Sequence, residues 1–277
     1  MKPVPFDYVR AGSLAEALEA LAAGGEDAKP IAGGQSLVPA LTMRLVRPSV
    51  LVDVNHAGLG GIEENGSLRI GATVRQAALV DDGRVHPLVL QALPFVGHFV
   101  TRNRGTVGGS IAHADGAAEL PLCLTVLDGA VVVDGPGGRR EIAAADFFVT
   151  HFLTTLDAGE LVVETVWPRP IEGERSAFEE LALRAGDFAQ SMAAVVLRRE
   201  AGVVTDARIG VGAVTDHPTR LPEVERLLVG SAGLDAAADA GALAAGLVDP
   251  HSTTHASARY LRALTATLVA RAIERAS

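Results

Sequence analysis

Two stretches of the chain place paired glycines directly between an apolar run and a helix-forming segment. No other feature of the 277 residues narrows the fold as much. The first is "KPIAGGQSLVPALTMRL", residues 29–45, and the second is "TRNRGTVGGSIAHADGAAELP", residues 101–121. Gly33, Gly34, Gln35 and Ser36 lead into Leu37 in one; Thr106, Gly108, Gly109 and Ser110 lead towards a helix in the other. Backbone without a Cβ lets N–H groups converge on an anion, and a helix start adds partial positive charge. The hydroxyls of Ser36, Thr106 and Ser110 are further donors. Two such turns suit two phosphates, hence a diphosphate. Paired glycines also make ordinary turns. Neither stretch matches G-x-G-x-x-G after a first strand or G-x-x-x-x-G-K-[ST]. The residues alone therefore leave two readings, a dinucleotide or phosphate binder and a pair of plain turns.

The surrounding pattern is mixed. Ser13 and Glu16 form a capping box before Leu14, Ala17, Leu18 and Leu21 at helical spacing, and Gly24-Gly25 stops that helix. Residues 29–32 predict a short buried strand, the segment to about residue 45 a helix, and residues 49–54 a second strand. Asn65-Gly66 between two short apolar runs predicts a hairpin, and Thr73 to Gln76 predicts a helix cap. Residues 86–96 and 118–127 predict helices; "GAVVVDG" and "ELVVETVWP" predict strands. "PRPIEGERS" reads as an exposed linker. Beyond it, alternating runs joined by Ala201-Gly202 predict antiparallel strands, followed by three helices. The expected units are an α/β segment over 1–55, a second over 56–172 and an α+β domain over 176–277.

Composition removes several classes. A formal net charge of −9 without a Lys/Arg block argues against nucleic acid. The most apolar region, "LPLCLTVLDGAVVVDG", is broken by Asp128 and Gly129 and is too short to span a bilayer. The first fourteen residues lack the basic start and apolar core of a signal peptide. Cys123 is the single cysteine, which excludes an internal disulfide and any cysteine-held cluster, and its leucine neighbours predict a buried structural thiol. A reducing, cytoplasmic setting is expected. His251 and His255 stand four apart without further ligands, so a metal site is not expected.

"AGGQSLVPALTMRL" and "TRNRGTVGGSIAHADGAAELP", in this order and about seventy residues apart, resemble the paired flavin-binding signatures of the medium subunit of molybdenum hydroxylases. That family includes aerobic carbon monoxide dehydrogenase and the FAD domain of xanthine dehydrogenase. The resemblance continues through "LVDVNHAGLGGIEENGSLRIGATVRQAAL", "RAGDFAQSMAAVVL" and "SARYLRALTATLVARAIERA", nearly the whole chain. It implies an α+β chain, with the two-subdomain FAD-binding fold of the p-cresol methylhydroxylase and vanillyl-alcohol oxidase type. A C-terminal domain of antiparallel sheet and helices follows. It also implies FAD held by Ala32, Gly33, Gly34, Gln35, Ser36 and Leu37 in one cradle and by Thr106, Gly108, Gly109 and Ser110 in the other. Glu119 takes the place of an Asp that serves the ribityl and flavin region, Leu161 borders flavin or adenine, and Asp187 and Phe188 match "GD[YF]A" beside the ring.

The resemblance implies electron transfer rather than substrate transformation on this chain, so no residue is assigned as catalytic. A large molybdopterin subunit and a small subunit with [2Fe-2S] clusters are the implied partners, in a dimer of heterotrimers, with FAD passing electrons to an external acceptor. Departures from the family pattern are Gly116 for Pro, Thr101 for an aliphatic residue, and Glu179, Glu180 and Leu183 where Lys or Arg is usual. Loss of positive charge there disfavours an anionic reduced flavin. A stand-alone FAD oxidoreductase of the same fold is the alternative.

Overall fold

The computed structural model describes residues 2–277. The chain opens with strand β1 (Asp7–Arg10), helix α1 (Leu14–Gly24), strand β2 (Ala28–Ile31), helix α2 (Leu37–Thr42) and strand β3 (Val50–Asp53). The Ser13 hydroxyl accepts from the Glu16 N–H at 3.2 Å, and the Glu16 carboxylate reaches back to the Gly12 N–H at 2.7 Å. The capping box thus closes one residue early. Gly25, at φ +57°, ends the helix. The three strands pair in parallel in the order β1-β3-β2. Helix α1 covers them, with Ala17 and Leu21 packed on Val52 and Val54. Strand β2 is an edge, and Lys29 and Pro30 are exposed rather than buried as the apolar run suggests. Pro30 lacks an N–H, which an edge tolerates. Helix α2 ends at Thr42, short of residue 45, because Arg44 turns left-handed at φ +58°.

The next unit begins with strands β4 (Ile62–Asn65) and β5 (Ser67–Gly71), hinged at Gly66 with φ +69°. The expected helix after Thr73 is only a single 3-10 turn over Gln76–Leu79, with no side-chain cap. Arg75 instead bridges to Thr106. Four short helices follow: α3 (Pro87–Ala92), α4 (Phe99–Arg104), α5 (Val107–His113) and α6 (Glu119–Val126). Pro94 shortens the predicted helix over 86–96, and residues 93–95 tighten into a 3-10 turn. Every residue of α6 is buried. Strands β6 (Ala130–Asp134) and β7 (Arg140–Ala143), helix α7 (Ala144–Phe147), strands β8 (Phe148–Thr150), β9 (Leu153–Thr154) and β10 (Leu161–Trp167) complete the unit. Its antiparallel sheet runs β4-β5-β10-β6-β7.

The third unit contains strands β11 (Glu174–Ala182), β12 (Ala189–Glu200), β13 (Val203–Gly212) and β14 (Thr219–Arg220), paired antiparallel in that order. Helices α8 (Pro222–Leu228), α9 (Ala237–Leu247) and α10 (Ala258–Ala276) follow. Both faces of this sheet are covered. Met192, Ala194 and Val196 of β12 join the core around α6, whereas Ala193, Val195 and Leu197 join the core around α9 and α10. The period of two along a strand explains why β12 reads as one unbroken apolar run.

Residues 169–173 are exposed and outside any strand, as a linker would be, but strand β11 takes the end of the expected linker stretch. It starts inside "PRPIEGERS", where Glu174 is buried in an ion pair with Arg208 of β13. A paired charge becomes tolerable inside a protein, and no local pattern announces that pairing. Among the described residues, no helix is long and apolar enough to cross a membrane.

Candidate functional site

Gly33 is buried because the second stretch lies against it. A Cβ at Gly33 would stand 2.3 Å from the Arg104 carbonyl oxygen and 2.9 Å from Gly105 Cα. Two segments separated by about seventy residues thus meet backbone to backbone. Gly34 sits at φ +72°, a conformation that costs an L side chain about 1 kcal/mol or more. After it the chain enters α2 with Ser36 already helical.

The first turn leaves its donors open. Among the described residues, the backbone N–H groups of Gly33, Gly34, Gln35, Ser36 and Leu37 donate to no protein acceptor; the first to do so is Val38, bonded to the Gly34 carbonyl at 2.9 Å. The Gln35 amide folds back onto the Gly33 carbonyl at 3.2 Å. Ala32, Gly33, Gly34 and Gln35 line a cleft of about 400 Å³ together with Tyr8, Ile31, Val38, Pro39, Asp53, Asn55 and Arg104. A run of unpaired N–H groups in a partly apolar cleft suits a phosphate attached to a larger organic group.

The second stretch is built differently from the loop its glycines suggest. Gly108 and Gly109 lie within the first turn of α5, whose N-cap is Thr106. The Thr106 hydroxyl accepts from the Gly109 N–H at 3.1 Å, and the Gly108 N–H donates to the Ala72 carbonyl at 3.0 Å. Gly108 is glycine because Ala72 is there: an added Cβ would sit 2.5 Å from the Ala72 Cβ. The donor left open on this side is the Ser110 hydroxyl, which has no protein partner among the described residues. Its N–H bonds the Thr106 carbonyl at 3.1 Å.

A polar network ties the turns together. The Arg75 guanidinium donates to the Arg104 carbonyl at 2.5 Å and to Asn55 Oδ1 at 2.7 Å. Asn55 Nδ2 donates to the Ala32 carbonyl at 2.9 Å. Asp53 accepts from the Tyr8 hydroxyl and from the Asn55 N–H, the latter at 2.9 Å. Burial pushes the Asp53 carboxyl upward, but these hydrogen bonds outweigh it and hold it below the ordinary carboxylate range. The same bond raises the Tyr8 phenol. Arg104 reaches the cleft, while Arg102 is spent on the Val96 and Gly97 carbonyls at 2.9 and 3.0 Å.

The other expected site residues fall elsewhere. Asp187 and Phe188 are exposed at the tip of the β11–β12 hairpin, where a Cβ on Gly186 would lie 2.7 Å from the His98 ring at the start of α4. Glu119 opens α6 and is buried, which pushes its carboxyl up to about 7. Glu180 on β11 is pushed up to about 8 by burial and by Glu119, and its Oε2 has no partner. Leu161 is buried at the start of β10, in the cluster with Ala17 and Leu21. The structure therefore gathers residues 32–37 with 104–110 and sets Glu119 near Glu180. Leu161 lies in the apolar cluster against which Ala32 packs.

Tyr8, Asp53, Asn55 and Arg75 were not singled out from the sequence. They are scattered along the chain, and no spacing rule marks a side chain whose job is to hold a distant carbonyl. Cys123 is wholly buried, and burial drives its thiol well above the usual range, which removes it as a nucleophile.

Residues 4–170 match the family described as FAD binding domain in molybdopterin dehydrogenase, and residues 176–276 match the CO dehydrogenase flavoprotein C-terminal domain. The chain is 43% identical to the 6-hydroxypseudooxynicotine dehydrogenase complex subunit alpha of Paenarthrobacter nicotinovorans, covering 100% of this chain and 96% of that protein. It is 36% identical to the carbon monoxide dehydrogenase medium chain of Afipia carboxidovorans, covering 100% and 98%. The solved structure of reconstituted CO dehydrogenase from Oligotropha carboxidovorans superposes with a TM-score of 0.96 at 36% identity, over 100% of this chain and 99% of that one. Full-length matches in sequence and in structure, together with the two meeting turns, establish that the chain belongs to the FAD-binding medium subunits of the molybdenum hydroxylases.

Proposed function

We propose that this chain holds FAD as the outlet of a molybdenum hydroxylase, with its electrons drawn from iron–sulfur clusters on a small partner subunit. A large molybdopterin subunit carries the substrate chemistry in this reading, and the assembly is a dimer of heterotrimers in the cytoplasm. The observation that carries it is the row of five unpaired N–H groups from Gly33 to Leu37, the first three on residues that line a cleft walled by Arg104. Such donors match the charge of a diphosphate and, with Ser110, divide it between two turns.

Bound FAD supplies a ring that takes up and releases electrons, while the protein binds and orients it. Residues 32–37 hold the diphosphate from one side; Thr106, Gly108, Gly109 and Ser110 shape the other. Thr106 and Gly108 act by fixing backbone, since the Gly108 and Gly109 N–H groups already have protein acceptors. Glu119, Asp187 and Phe188 are assigned to the ring side, and Leu161 to the wall. The functional units are taken as 1–55, 56–172 and 176–277, each with its own sheet. With no cysteine besides the buried Cys123, iron–sulfur clusters belong on another chain.

Purification from the native host tests the reading. A yellow preparation that releases FAD on denaturation, accompanied by a small iron–sulfur chain and a large molybdopterin chain, is expected. FAD without companions would favour the stand-alone oxidoreductase. A colourless protein that cannot be reconstituted with FAD would end both.

A further inference from the structure

We propose that Arg75 is the positioning residue that sets the first turn for its ligand, acting through Asn55. This rests on the reading of residues 32–37 as the diphosphate cradle.

The argument starts from what each group can do. A guanidinium only donates, so the Asn55 atom facing Arg75 at 2.7 Å must be its carbonyl oxygen. That fixes the amide orientation and turns the Asn55 NH₂ towards the Ala32 carbonyl, 2.9 Å away. In a planar trans peptide the carbonyl and the following N–H point in opposite directions. Holding the Ala32 carbonyl on the Asn55 side therefore aims the Gly33 N–H away from it, and that N–H is one of the five left unpaired. Arg75 on the Asn55 oxygen and Asp53 on its NH₂ thus fix, through one amide, which way the first donor of the row faces.

The same guanidinium holds the other turn. Its second arm donates to the Arg104 carbonyl at 2.5 Å, the oxygen against which Gly33 is packed. The Arg75 backbone pairs with Thr106, and the Gln76 N–H donates to the Gly105 carbonyl at 2.9 Å. One planar side chain with two fixed arms spans the gap between the turns, a task for which lysine lacks the geometry. Arg75 also occupies two carbonyl oxygens, one directly and one through Asn55, whose partial negative charge would otherwise oppose a phosphate. Asp53 completes the support by accepting from the Asn55 N–H and NH₂ at 2.9 and 2.5 Å.

The test uses the full chain stripped of FAD and retitrated, with flavin fluorescence as the readout and thermal melting of the apoprotein measured alongside. Arg75→Ala should weaken FAD binding about 10- to 100-fold, the range expected for losing hydrogen bonds to a charged group. Asn55→Leu should cost a similar factor, and the double variant little more, because the two act in series. Millimolar guanidinium chloride should restore much of the affinity to Arg75→Ala and none to Asn55→Leu. Should Arg75→Ala fail to fold, Arg75→Lys is read instead, and a loss of about tenfold is expected because one amine cannot serve both acceptors. Wild-type affinity in Arg75→Lys would show that charge alone suffices and would overturn the proposal. So would strictly additive losses, or a melting change without any change in affinity. A wild-type chain that does not bind FAD would instead refute the cradle itself.

Discussion

Replacing Gly33 with alanine is the most direct trial of the idea that two distant turns meet. The added methyl carbon would start 2.3 Å from the Arg104 carbonyl oxygen and 2.9 Å from the Arg104 carbonyl carbon. Ordinary carbon–oxygen contacts lie near 3.3–3.6 Å, so the turns must part by about 1 Å. Neither obstacle is the end of a flexible side chain; both are backbone, held by Arg75 and by the Gly105 N–H bond to Thr101 at 2.6 Å. Overpacking of this kind costs about 1–3 kcal/mol. For a chain of this size that lowers the apoprotein melting point by roughly 2–10 °C. A hydrogen bond stretched by about 1 Å is no longer one. Losing one or two charge-assisted bonds to phosphate weakens FAD binding by about 10- to 100-fold. Fluorescence titration of the apoprotein measures the second effect and scanning calorimetry the first. Gly83→Ala is the control, since nothing lies within 4 Å of its Cβ position and its φ is not in the left-handed region. Wild-type FAD affinity in Gly33→Ala would refute the contact between the turns as the basis of binding.

Gly109→Val should also lose FAD, because its Cβ would lie 2.6 Å from the Thr106 hydroxyl that caps α5, and the C-terminal domain should stay folded by limited proteolysis. Thr106→Ala removes only the cap and should cost about 1 kcal/mol of stability by chemical denaturation. The pH dependence of unfolding should carry the mark of Glu119 and Glu180. Burial raises both above the usual 4.5, to about 7 and about 8, so the fold retains protons that the unfolded chain releases. Their contribution is therefore complete below about pH 4.5 and fades as pH rises through 7 to 8. Glu180→Gln should raise the melting point by about 2–6 °C near pH 8.5 and change it little near pH 4.5; an equal rise at both would be inconsistent with a titrating carboxyl. Arg208→Met should destabilise by about 3 kcal/mol by leaving buried Glu174 without its cation, with the Ile171 N–H at 2.9 Å still donating to it, whereas Glu174→Leu with Arg208→Met should cost less. Denaturant titration of the two variants separates these outcomes.

What was legible in the sequence is local. Ser13 caps because a hydroxyl next to a helix start has an orphan N–H within reach. Asn65-Gly66 and Ala201-Gly202 turn because their backbones accept positive φ; φ is +69° at Gly66 and +84° at Gly202. The glycine-bearing stretches could be found, and the resemblance attached to them named FAD, a ligand that no spacing rule supplied. Strand β11 is not evident from the sequence because Glu174 and Glu180 read as solvent-facing charges, whereas Glu174 pairs with Arg208 on β13 and Glu180 is buried beside Glu119 with its carboxyl pushed up to about 8. Gly108 looked like a donor and proves to be a packing position, decided by Ala72 on a distant segment. The approach of Gly33 to Arg104, and the Arg75–Asn55 link that holds it, exist only once the parallel sheet and the second unit have closed on each other. Local order follows from the φ and ψ preferences and hydrogen-bonding reach of a few neighbours, which the chain carries in its spelling. Which of those turns come to face one another depends on how buried surfaces fit across long loops, and that fit is a property of the whole fold.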